Sequence, residues 1–139
     1  MNEREASAVI NKYGIGVVAV DYDGTLTLKD NYPHVGPHNS RAVAILKEFR
    51  NRGGKLILWT LRTNGELKAA VESLRSIGLE FDAVNCNLDE QQKNWLSAHP
   101  ECGISNKCFA NLYIDDRSPA AMLHGIDWDE IEELLLAQN

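Results

Sequence analysis

The sequence predicts an α/β fold: a Rossmann-like open parallel sheet with helices on both faces. Three observations carry that prediction. Short apolar runs rich in β-branched residues alternate with stretches of helical periodicity, and three of those runs stop abruptly at a polar residue. At 139 residues the chain is long enough for one buried core and too short for two domains of ordinary size, so residues 1–139 are read as a single domain.

Gly16-Val17-Val18-Ala19-Val20 is the first strand, apolar on both faces as a buried parallel strand must be, and it ends at Asp21. Ala42, Ile45, Leu46 and Phe49 recur at i, i+3, i+4 and i+7. This spacing predicts a helix over 37–52, with Pro37 in its first turn and Gly53-Gly54 as its stop. Lys55 to Thr60 is the second strand. The next helix opens with Thr63 and Glu66 spaced as a capping box and carries Leu67, Ala70, Val71 and Leu74 on one stripe before Gly78.

Phe81 to Val84 reads as the third strand and Leu112 to Ile114 as the core of the fourth, with no element assigned between them. Asp127, with Glu130 three residues on, caps a last helix whose apolar face holds Ile131, Leu134 and Leu135. Open sheets bind ligands beyond the carboxyl ends of their strands, where the strand order reverses. Asp21, Asp23, Thr60, Asp115 and Asp116 all follow strand ends.

A composition of 44 % hydrophobic and 24 % charged residues excludes a disordered or collagen-like chain. The longest apolar stretch, Gly14 to Val20, is far short of the ~20 residues that span a bilayer. Met1 to Tyr13 has no apolar signal-peptide core, and Cys86, Cys102 and Cys108 cannot all pair. A cytoplasmic protein is expected. The net charge of −6 is concentrated in five acids between Asp127 and Glu133, and no basic stripe marks a nucleic-acid partner.

The segment Asp21-Tyr22-Asp23-Gly24-Thr25 matches D-x-D-G-T directly after a strand, a match expected by chance on the order of once in a thousand such chains. It resembles the first motif of the haloacid dehalogenase superfamily, most of whose members are Mg²⁺-dependent phosphatases. Leu56-Ile57-Leu58-Trp59-Thr60 resembles the second motif, and Tyr113-Ile114-Asp115-Asp116 the fourth. Lys107 stands where the third motif's lysine is expected, with Lys93 as the alternative. Together with Trp59-Thr60-Leu61-Arg62 and Ile114-Asp115-Asp116-Arg117, these motifs resemble the small capless hydrolases of the superfamily.

The resemblance implies an aspartyl-phosphate mechanism with Asp21 as nucleophile and Asp23 as general acid and base. Relatives that dehalogenate carbon have no acid at the second position, so Asp23 points to phosphoryl chemistry. Thr60 and Lys107 are expected to hold the phosphoryl group, with Arg62 either a further substrate contact or a counter-charge to the acids. Asp21, Asp115, Asp116 and the backbone carbonyl of Asp23 are expected to hold Mg²⁺. Physical chemistry supports this choice of residues. A phosphate monoester is already anionic, so charge must be neutralised before a carboxylate approaches in line, and Mg²⁺ takes hard oxygen ligands.

Neither interval after the first or second motif has room for a cap domain. The lid is then a short flap over 25–37 or a neighbouring subunit in a homo-oligomer; such an open site suits a broad-specificity phosphatase, a macromolecular substrate or an oligomer that closes each pocket, with a small phosphate ester such as a sugar phosphate or nucleotide the favoured substrate. His34 and His38 lie in the short segment after the first motif, either touching the leaving group or exposed. Arg117 either binds substrate or neutralises the acids. His99 with Cys86, Cys102 and Cys108 is a possible zinc set, although its spacing fits no compact zinc module. The rival class is a regulatory module that binds phosphate and metal without turnover.

Overall fold

The computed structural model describes residues 11–138. Four strands, β1 (Val17–Val20), β2 (Lys55–Leu58), β3 (Ala83–Val84) and β4 (Leu112–Ile114), form one sheet in the order β3-β2-β1-β4, with every pairing parallel. Around it lie α1 (Ser40–Asn51), α2 (Asn64–Ser76), α3 (Asp89–Ala98), α4 (Pro119–His124) and α5 (Trp128–Leu136). The expected Rossmann-like α/β fold is what forms.

The period-2 alternation of the strands divides the core in two. Val18, Val20, Leu56, Leu58 and Ile114 face Leu46 and Phe49 of α1, Leu74 of α2 and Leu135 of α5 in the larger cluster. Val17, Ala19 and Ile57 face the other way, against Leu88 and Cys108. Handedness explains this layering. The crossovers β1-α1-β2 and β2-α2-β3 step in one direction and put both helices on one face; the return from β3 to the far side of β1 reverses direction and carries α3 to the other.

Several boundaries differ from expectation. The first helix starts at Ser40, where the Asn39 side chain accepts from the Ala42 amide at 3.1 Å. Pro37 is instead tied back to the flap, its carbonyl accepting from the Leu28 amide at 2.9 Å beside a Thr27–His38 bridge. Thr63 occupies the N-cap of α2, but its side chain makes no capping bond. Asn64 enters the helix at φ 50°, outside the geometry a capping box requires. Asp127 does cap α5, accepting from the Glu130 amide at 3.1 Å. Among the described residues, no helix is long and apolar enough to cross a membrane, and all three cysteines are free.

Candidate active site

The strand order reverses between β1 and β4, and the acidic residues gather there. The Asp21 amide donates to the Ile114 carbonyl at 3.0 Å, extending the ladder one residue past β1 so that the side chain leaves from rigid backbone. Asp115 and Asp116 follow β4 directly. Carboxylate oxygens of Asp21, Asp115 and Asp116 all lie within 4.8 Å of one another. Among the described residues, none of the three is in a salt bridge.

Thr25 stitches the two strand ends together. Its hydroxyl donates to Asp21 Oδ2 and accepts from the Asp116 amide, each at 3.2 Å, in a fully buried position. Gly24 sits at φ 77°, and a Cβ there would collide with the Asp116 carboxylate. The glycine is needed both for the turn and for the clearance. Sequence reasoning gave Thr25 no role, although it is part of the motif.

Burial, then the charge of Asp115, pushes the Asp21 carboxyl up to about 7; Asp116 adds to the rise, while the Tyr22 amide and the Thr25 hydroxyl oppose it. Asp116 is raised in turn by burial and by its hydrogen bond and charge repulsion with Asp115. Close carboxylates that hold protons in this way fit a divalent cation: the donors are hard oxygens, and the cluster has negative charge to spare.

Asp23, two residues on, is compensated. Arg62 Nε donates to its Oδ2 at 2.8 Å and Nη2 to its Oδ1 at 2.7 Å, a two-pronged charged pair. Of the two readings of Arg62, substrate contact and counter-charge to the acids, the second is what forms, and its five N–H groups are all used within the protein. The other three go to the carbonyls of Pro33 (3.2 Å), Glu66 (3.1 Å) and His34 (2.7 Å). Its side chain is 1 % exposed, with the guanidinium carbon 4.9 Å from the Tyr22 ring centroid and 5.2 Å from that of Tyr32.

Thr60 accepts the Arg62 amide on its hydroxyl at 3.1 Å, which leaves the hydroxyl proton free, and its own amide donates to Asn85 Oδ1 at 2.8 Å. Asn85, at φ 54°, carried no signal in the sequence. Asp21, Asp23, Thr60, Asp115 and Asp116 open onto one cavity of about 720 Å³, whose wall also includes Arg117 and the flap residues Asp30 and Tyr32.

Lys107 is not brought to this cavity. It lines a second one of about 530 Å³ on the α3 side, with Nζ 4.9 Å from the Tyr113 ring centroid. Lys93, exposed on α3, does not line the acidic cavity either. Of the two histidines after the first motif, His34 contributes its backbone carbonyl to Arg62. His38 turns inward to Tyr22 Oη (3.3 Å) and Ser73 Oγ (3.2 Å), and burial lowers its pKa. His99 stacks on Trp95, and among the described residues it forms no metal cluster with the cysteines.

Fold and site together define a doubly wound α/β protein with an acidic cluster at its switch point. No known family profile matches the chain, and no curated protein matches it. A solved structure of a conserved protein from Bacteroides thetaiotaomicron is 37 % identical and matches with a TM-score of 0.68, over 85 % of this chain and 87 % of that one. The chain belongs to the same family as that Bacteroides protein.

Proposed function

We propose that this protein is a Mg²⁺-dependent phosphatase of the haloacid dehalogenase type, hydrolysing small phosphate monoesters through an aspartyl-phosphate on Asp21. The observation that carries this is the convergence of Asp21, Asp115 and Asp116, from strands at opposite ends of the chain, on a cavity that also takes in Asp23 and Thr60. Its volume lies within the ~300–1,000 Å³ typical of small-molecule sites.

When bound, Mg²⁺ supplies the positive charge that lets an anionic phosphoryl group approach these carboxylates. Asp21 forms a bond to phosphorus as the bond from phosphorus to the leaving oxygen breaks. Asp23, protonated on an oxygen lone pair that Arg62 does not occupy, gives that oxygen its proton and, as the carboxylate, then takes one from the water that cleaves the intermediate. Thr60 donates its free hydroxyl proton to a phosphoryl oxygen. With Lys107 lining the other cavity, Arg117 is the cation poised to meet an anionic substrate. The free cysteines fit a cytoplasmic setting.

The test is hydrolysis of a panel of aryl and alkyl phosphates with and without Mg²⁺. Turnover that disappears with chelator and returns with Mg²⁺ is expected. Tight Mg²⁺ binding without turnover on any ester would instead identify a binding module.

A further inference from the structure

We propose that Arg62 is a positioning residue that joins the flap and Asp23 into one mechanical unit, so that Asp23 is correctly aimed only while the flap is seated. The catalytic half of this proposal rests on the phosphatase reading; the mechanical half does not.

One guanidinium bridges three parts of the chain. Two of its N–H groups fix both oxygens of Asp23, two more hold the flap through the carbonyls of Pro33 and His34, and the fifth anchors it to α2 through Glu66. Tyr32, itself a flap residue, covers the guanidinium with its ring 5.2 Å away, while Tyr22 lies on another side at 4.9 Å. Lifting the flap would remove two acceptors and the Tyr32 ring at once and let water reach a side chain that is otherwise 1 % exposed. A buried charge stripped of partners is costly, so flap and guanidinium move together. Asp23 follows, because both of its oxygens are held by the same planar group.

A direct substrate contact is ruled out by the donor count, since no N–H of Arg62 is free in the seated state. A lysine cannot take its place. A single ammonium keeps the charge but cannot span both oxygens of Asp23 and the flap carbonyls in one plane. A residue that only stabilised the fold would, when replaced, lower all activities in proportion. A residue that aims the proton donor affects chiefly esters whose leaving oxygen needs a proton.

The experiment compares wild type, Arg62→Lys and Asp23→Asn on an aryl phosphate with a good leaving group and on an alkyl phosphate. Amide hydrogen exchange is followed at Leu28, Tyr32 and His34, whose N–H groups are hydrogen-bonded within the flap. Arg62→Lys is expected to lose kcat on the alkyl ester by about a hundredfold or more, within the range general acids supply, and on the aryl ester by less than about tenfold. Flap exchange should speed up in both variants, including Asp23→Asn, which weakens the two-pronged pair that holds the Arg62 guanidinium in place. Equal losses on the two esters, or flap exchange unchanged in both variants, would overturn the proposal. If wild type hydrolyses neither ester, the phosphatase reading fails, and the exchange measurement alone decides whether Arg62 couples flap to Asp23.

Discussion

Asp21 and Asp23 stand two residues apart on one turn in opposite electrostatic surroundings. Asp21 is partly buried among other acids and holds its proton up to about 7. Asp23 is clasped on both oxygens by a buried arginine. Among the described residues the first carboxylate has no cationic partner, and the second has one in Arg62. Two residues of the same type on one turn thus meet opposite electrostatic conditions through the groups around them.

The largest break in this contrast is Asp21→Asn. Loss of the nucleophile should lower kcat by at least about a thousandfold while circular dichroism stays unchanged. Retention of most activity would remove Asp21 from the chemistry. Next comes Asp115→Asn, which takes one oxygen donor and one negative charge out of the cluster. Calorimetric titration should show Mg²⁺ affinity weakened by about tenfold or more.

Gly24→Ala perturbs the same cluster through the backbone. A side chain at φ 77° is strained and pushes against Asp116, so a stability loss of roughly 1–2 kcal/mol is expected, with weaker Mg²⁺ binding in the same titration. A smaller effect concerns pH. Because the folded Asp21 value of about 7 exceeds its ordinary 3.8, the folded chain holds that proton more tightly than the unfolded chain does. The stabilisation is complete below about pH 4 and is lost as pH rises through about 7. Thermal melts of chelator-treated protein should show this decline, and Asp21→Asn should show less of it; identical profiles would contradict the raised value. Lys107→Ala should be the mildest, with kcat/KM within about twofold of wild type, since single surface changes away from a site usually matter little.

Much of the fold was legible because burial leaves a periodic trace. The stripes of α1, α2 and α5 and the apolar runs of β1, β2 and β4 are all pressed against the main core. The Asp127 cap was readable for a local reason, since its partner is the Glu130 amide one turn on. In contrast, α3 buries no residue, and Asp89–Ala98 accordingly shows no apolar stripe to find. The six residues of α4 are too few for a period to show, and likewise bury nothing.

The site divides on the same principle. Asp21, Asp23, Thr60, Asp115 and Asp116 were visible because each follows the end of a strand. The task of Arg62 was hidden because three of its five partners are backbone carbonyls, which any residue type supplies. Lys107 fitted the motif order, but it precedes β4, whereas the acids gather at that strand's carboxyl end. Asn85 reaches Thr60 only because β3 lies next to β2.

The central place of β1, with β2 on one side and β4 on the other, has a bearing on biosynthesis. A nascent chain that has emerged only as far as Val84 already carries Asp21, Asp23 and Thr60, yet its first strand still has an open edge, and Asp21 lacks the two other members of its acidic cluster. For the proposed cation, binding would require β4 with Asp115 and Asp116 to be in place, so ion uptake by stalled fragments of graded length would mark the docking of that strand.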